Sequence, residues 1–231
     1  MGLDIMFHRP DVAKGGLRLG FSSLDGGGNL EAVYTIGWRI KDRRDEAWTQ
    51  RFSAAKFGPN QEHHVRAAAR LAAESFDLRR FERPLVIPGV GSGDSRADDE
   101  GLIGQVAQSI ASTYRDPVYR SDILGHHPHP SLKTTFGRDA RREAVDGSFY
   151  LYDPYEDLEG VSAVLVDDFV TNADTLGDMA RALNTSSRPP RRIIGVCLAK
   201  NESVAYAASQ LFELNNLHLP ERFAELWDGT R

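Results

Sequence analysis

Short unbroken apolar runs alternate along this chain with stretches in which apolar residues recur every three or four positions. That alternation predicts strands and helices in turn. Residues 33–40 (VYTIGWRI) are rich in β-branched and aromatic side chains and read as a strand. Over 64–75 (HVRAAARLAAES) good helix formers place Val65, Ala68, Ala69 and Ala72 on one stripe. A short buried strand at 84–88 (PLVIP) runs into Gly89-Val90-Gly91-Ser92-Gly93, and 101–112 (GLIGQVAQSIAS) then carries Leu102, Val106 and Ile110 at helical spacing. A strand is expected at 148–152. The continuous apolar runs at 162–166 (SAVLV) and 192–198 (RIIGVCL) fit strands covered on both faces of a parallel sheet. Helices are expected at 175–183 and 202–212. Residues 215–231, with Leu217, Leu219, Phe223, Leu226 and Trp227, suggest an amphipathic helix packed on the protein's own core. Residues 25–29 (DGGGN) form a turn or loop, and 1–32 carry the weakest signal. Repeated strand–loop–helix order predicts an α/β fold: an open, mostly parallel, twisted sheet flanked by helices.

Length and charge narrow the class. The 231 residues suit one domain spanning 1–231, with a core at 33–200 and peripheral extensions at 1–32 and 201–231. With 28 basic and 33 acidic side chains the net charge is −5, which disfavours nucleic acid or an anionic membrane as partner, so any polyanion site must be local. The lone Cys197 cannot close an internal disulfide, and a reducing, cytoplasmic setting is expected. No apolar run approaches the ~18 residues of a membrane span. Asp4, His8 and Arg9 interrupt what a signal peptide would need, and Met6 stands where myristoylation requires Ser or Thr.

The chemistry concentrates in 164–175 (VLVDDFVTNADT). A buried parallel strand delivers Asp167 and Asp168 to its C-terminal end, where open α/β sheets bind ligands. A short polar loop then enters a helix N-terminus, whose free N–H groups and dipole favour a phosphate-sized anion. Thr171, Asn172 and Thr175 add side-chain donors. Two carboxylates beside a phosphate cradle suit a ligand with both a diol and a phosphate, such as ribose 5-phosphate.

Other readings of the same letters are weaker. An apolar strand ending in two acids could hold Mg²⁺ in a P-loop ATPase, but no Gly-Lys-Ser or Gly-Lys-Thr occurs. The glycines at 89–93 are mis-spaced for a dinucleotide fingerprint, and 94–100 is charged where an apolar helix should begin. A buried strand that merely ends in two solvated acids is the bland alternative. His126, His127 and His129 lie in a His-His-Pro-His-Pro run without helical ligand spacing, which argues against a metal site.

The strand, the Asp-Asp pair, two apolar residues, Thr171 and then Thr175 resemble the phosphoribosyl pyrophosphate (PRPP) motif of the type I phosphoribosyltransferases. The wider spacing is similar to the ComF branch, without its zinc ribbon, which one cysteine cannot build. In that branch a strand–helix unit, a strand ending in a Pro loop, a basic loop and the motif strand follow in order; 52–75, 85–96, 133–149 and 164–183 occupy those places. The resemblance implies that Asp167 and Asp168 hold the ribose hydroxyls. It also implies that Thr171, Asn172, Ala173, Asp174 and Thr175 cradle the 5′-phosphate, and that Pro88, Gly89, Val90 and Gly91 face pyrophosphate. Lys133, Arg138, Arg141 and Arg142 would belong to a mobile basic loop closing over the ligand, unless they form only a solvated helix start. The implied cofactor is Mg²⁺, held mainly through ligand and water and in part by Asp167 and Asp168. The implied reaction transfers ribose 5-phosphate from PRPP to a base with release of pyrophosphate, through an oxocarbenium-like transition state.

The chain departs from the family pattern at the turn, where Ala173 replaces a glycine and Asp174 adds negative charge, and in the acidic stretch Asp94, Asp98, Asp99 and Glu100. These substitutions suit a second hypothesis: a catalytically reduced, nucleotide-sensing or partner-binding accessory protein, ComF-like and in that analogy DNA-handling, that keeps the fold. A small phosphoribosyl ligand is the expected partner under the first hypothesis; a homodimer or a protein partner is compatible with either.

Overall fold

The computed structural model describes residues 5–7, 19–21, 30–59, 61–116, 118–128, 138–202 and 221–229. The chain forms β1 (Ile5–Phe7), β2 (Leu19–Phe21), β3 (Ala32–Ile40), α1 (Ala47–Phe57), α2 (Gln61–Ser75), β4 (Pro84–Pro88), α3 (Leu102–Ala111), β5 (Leu124–His126), α4 (Arg138–Val145), β6 (Phe149–Leu151), β7 (Ser162–Val170), α5 (Asp174–Leu183), β8 (Arg192–Glu202) and α6 (Glu221–Asp228).

The main sheet has the order β1-β2-β3-β8-β7-β4. Its four strands β3, β8, β7 and β4 are mutually parallel, and β1 and β2 extend it as antiparallel neighbours. The expected open α/β fold is therefore present, and β5 and β6 form a separate antiparallel pair. Alternation along β7 explains its two-sided burial. Val164 and Val166 face a core built with α1, α2 and α3, whereas Ala163 and Leu165 face a second core built with α5 and the β5–β6 pair.

Each helix is shaped by the face it must bury. In α1 the Glu46 carboxylate caps the N-terminus by accepting from the N–H groups of Trp48 and Thr49, and Trp48, Phe52 and Ala55 recur at helical spacing to fill the first core. The stripe expected on α2 is buried as predicted. Trp227 of α6 meets the Trp48 and Phe52 rings edge-on at 6.0 Å, and Phe223 is buried in the same core. That is the self-packing expected of the C-terminal segment; residues 215–220 lie outside the described residues.

Some boundaries differ from the sequence reading. The helix α1 and the start of α2 occupy 47–63, so the N-terminal strand of the strand–helix unit is β3 and not a segment near Phe52. Strands β7 and β8 run four residues further than their apolar runs. Pairing, rather than hydrophobicity, carries β7 through Asp167 and Asp168, because its ladder with β8 continues to Val170 opposite Lys200. The helix expected at 202–212 begins on a residue that ends β8, and 203–212 lie outside the described residues.

The β4 edge is closed by the segment at 118–120. The Val86 N–H donates to the Val118 carbonyl at 2.6 Å, and the Arg120 N–H to the Val86 carbonyl at 3.0 Å. Among the described residues no helix is long and apolar enough to cross a membrane.

Candidate ligand cleft at the ends of β4, β7 and β8

The helices that follow β4 and β7 pack on opposite faces of the sheet, α3 with the first core and α5 with the second. Their connecting loops therefore diverge, which opens a crevice at the carboxyl ends of the strands. The lengths of the two strands deepen it. Pairing between β4 and β7 stops at Pro88 opposite Val166, where the Gly89 N–H gives a last bond of 2.7 Å to the Val166 carbonyl. From Asp167 onward β7 borders a cleft of about 690 Å³ instead of a strand.

Asp167 and Asp168 stand at that border with different neighbours. Asp167 projects toward Gly89, on the face of β7 that α5 covers. Its carboxyl is pushed up to about 7 by removal from water and by the charge of Asp168, against the pull of Lys56. Asp168 projects to the α1 side and forms an ion pair with Lys56; 12% of its side chain is exposed. Both acids also bind the local backbone. The Asp168 N–H donates to Asp167 Oδ1 at 2.8 Å, and the Phe169 N–H donates to Asp168 Oδ1.

The turn at 171–175 lies in the same cleft, and all five of its residues line it. Ala173 is the N-cap of α5 in the left-handed region, with φ 60° and ψ 27°. An alanine can occupy that region at a cost of about 1–2 kcal/mol. No side chain caps the helix, and among the described residues nothing accepts from the N–H groups of Asn172, Thr175 or Leu176. Beneath the turn the Lys200 ammonium, 3% exposed, donates to the Thr171 carbonyl. The buried Lys200 side chain thus lies under amide donors that no described residue engages, an arrangement that suits an anion.

The glycine loop after β4 reaches the cleft only in part. Pro88 has no N–H and the Gly89 N–H is spent on Val166, so neither lines the cleft; Val90 and Gly91 do, together with Ser92, Gly93 and Asp94. The Asp94 N–H closes a turn onto the Gly91 carbonyl at 2.9 Å. His126, 1% exposed, supports this loop by donating from Nδ1 to the Asp94 carbonyl at 2.9 Å, and its ring packs against Phe149 at 4.6 Å. Asp98 and Asp99 serve internal bonds instead of facing the cleft. Asp98 accepts from the Glu100 N–H, and Asp99 accepts from the Tyr119 and Ser121 hydroxyls. Burial, and then the contact with Asp99, push the Tyr119 hydroxyl up to about 12.

Of the basic loop, Lys133 lies outside the described residues. Arg138, Arg141 and Arg142 fall on α4, their side chains likewise outside what is described. Among the described residues no group of three His, Cys, Asp or Glu side chains converges as a metal site.

Sequence reasoning missed the wall opposite the turn. Arg39 and Lys41 at the end of β3, Lys56 and Phe57 at the end of α1, Phe169 and Asn201 all line the cleft. The only signal in the sequence was that parallel strands end together, so the polar residues after each apolar run converge. Neither a protein-family model nor a curated protein matches this chain, and the geometry of the cleft carries the functional reading.

Proposed function

We propose that the cleft binds a ribose 5-phosphate group and that the protein is a phosphoribosyltransferase-like enzyme acting on PRPP. One observation carries this reading: amide donors at the start of α5 that no described residue engages share a cleft with the acid pair at the tip of β7. The amides suit a phosphate dianion, and a carboxylate pair suits vicinal hydroxyls, which donate two hydrogen bonds at a fixed spacing. Transfer would break the bond from C1 to the pyrophosphate oxygen, with the electron pair leaving on pyrophosphate, and would form a bond from C1 to an acceptor nitrogen that gives up its proton to solvent. In its ionised form Asp167 would favour the positive charge that develops on the ring.

Mg²⁺ prefers oxygen ligands and keeps several waters. The donor set fits such an ion only in part, since Asp168 is held by Lys56 and burial favours the protonated form of Asp167. The two carboxylates would hold it through water, with pyrophosphate supplying direct oxygens; its chemistry would be to neutralise the leaving group.

Asp94 favours a second reading, in which the protein binds the phosphorylated sugar without transfer. It puts a carboxylate on the wall where pyrophosphate would lie, and the Gly89 amide beside it is already spent. One calorimetric series separates the two. Ribose 5-phosphate and PRPP with MgCl₂ are titrated into the wild type and Asp168→Asn, and pyrophosphate release is then followed with a panel of bases. Binding with release supports transfer, and binding without release supports the second reading. Silence with both ligands removes the sugar-phosphate assignment.

A further inference from the structure

Resting on that reading, we infer that the far wall of the cleft is the acceptor subsite and selects a planar ring bearing a carboxylate, with Arg39 as its specificity-determining residue. The strand order β4-β7-β8-β3 lays the cleft out in sequence: glycine loop, acid pair, Asn201, then Arg39 and Lys41. An acceptor attacking C1 of a sugar held by the acids and the turn must approach from the side away from the glycine loop. That side is the one with Arg39.

The chemistry there is specific. The Arg39 guanidinium is half-buried and donates from Nε to Ser53 Oγ and from Nη1 to Asn201 Oδ1, both at 3.0 Å. A guanidinium has five N–H groups, so these contacts fix its plane and leave three donors for a ligand. Its carbon lies 5.4 Å from the Phe169 ring centroid and 5.9 Å from that of Phe57, which is 52% exposed. Among the described residues Arg39 and Lys41 form no ion pair with a carboxylate, whereas Lys56 is matched by Asp168. Burial also lowers the proton affinity of Arg39. A desolvated cation held in plane, with no carboxylate in ion-pair contact among the described residues and flanked by aromatic faces, is completed by a flat anion: the carboxylate pairs with the fork and the ring lies on the aromatic surface.

Matched pairs of acids and neutral analogues test this by isothermal titration of the full chain in ribose 5-phosphate and MgCl₂: uracil-6-carboxylate against uracil, and pyridine-3-carboxylate against pyridine-3-carboxamide. The expected result is binding of at least one acid ten or more times tighter than its neutral partner. Arg39→Gln should reduce that ratio below three in protein that still binds ribose 5-phosphate. Should Arg39→Gln fail to fold, the exposed Lys41→Gln should still lower the ratio by at least twofold. Equal affinities within both pairs, or no binding of either acid by protein that binds ribose 5-phosphate, overturns the inference and leaves the sugar assignment standing. Absence of ribose 5-phosphate binding overturns both.

Discussion

Asp168 gives its backbone N–H to the side chain of Asp167 at 2.8 Å, and the two carboxylates leave the strand toward opposite faces while lining one cleft. Asp167 meets the α5 side and Asp168 the α1 side, where Lys56 neutralises it. Adjacent acids on one strand thus reach neutral pH in different states, one partly protonated and one paired.

The pH dependence of Asp167 follows from its direction of shift. Its carboxyl rises from 3.8 to about 7 on folding, so between those values the folded chain binds more protons than the unfolded one. Stability from this group is fully present below about 4, declines as pH rises through 7, and is flat above. Three pH units would be worth about 4 kcal/mol at the ceiling, and water in the open cleft should reduce this to about 1–2 kcal/mol. Asp167→Asn should therefore unfold at higher urea than the wild type at pH 8 and show no advantage at pH 4. If the carboxylate accepts from a ribose hydroxyl, ribose 5-phosphate affinity in the wild type should increase from pH 6 to pH 8.

Lys56 and Asp168 form a half-buried pair, which is worth more than an exposed one because less water screens it. A double-mutant cycle with Lys56→Met and Asp168→Asn should give a coupling energy of about 1–2 kcal/mol in chemical denaturation. Coupling near zero would mean that α1 is not tied electrostatically to the tip of β7.

Asp178 joins α5 to the β6 hairpin. Its carboxylate, buried, accepts from the N–H groups of Gly147 at 3.0 Å and Phe149 at 2.8 Å and from Arg181 Nε. Arg181 in turn donates to the Phe149 carbonyl at 2.7 Å. Asp178→Ala strands these donors and should cost about 3 kcal/mol. Because Phe149 also lines the cleft, hydrogen exchange at 147–149 should rise in the same variant.

The turn residue Ala173 is a case of opposing terms. Glycine would relieve about 1–2 kcal/mol of left-handed strain, but would lose about 0.8 kcal/mol of methyl burial and add up to about 1 kcal/mol of unfolded-chain entropy. Ala173→Gly should thus change stability by less than about 1 kcal/mol. A branched side chain has no such compensation, and Ala173→Val should cost about 2 kcal/mol or more by thermal unfolding.

The fold was legible where burial is two-sided. The runs 162–166 and 192–198 and the stripes on α2 and α3 announce their elements by hydrophobicity alone. In the site, the acid pair and the turn could be read because they are contiguous in sequence and end a strand. The Arg39–Phe57–Phe169 wall could not: it joins β3, α1 and β7, and only strand order makes them neighbours. Which amides of the glycine loop stay available could not be read, because the hydrogen bond that uses the Gly89 amide depends on register with β7. Asp178 looks like an ordinary surface acid of a helix until β6 is placed over it.

Finally, the outer side of β4 is a border of the sheet, and borders of sheets are where chains adhere to one another. Here Pro84 and Pro88 at its two ends carry no donor, and both hydrogen-bonding groups of Val86 between them are taken up by the strip at 118–120. A concentrated solution of this protein therefore has no ladder to extend on that flank. Loosening the strip, for example with Val118→Asp, would uncover one of the most apolar strands in the molecule and invite fibre-like association.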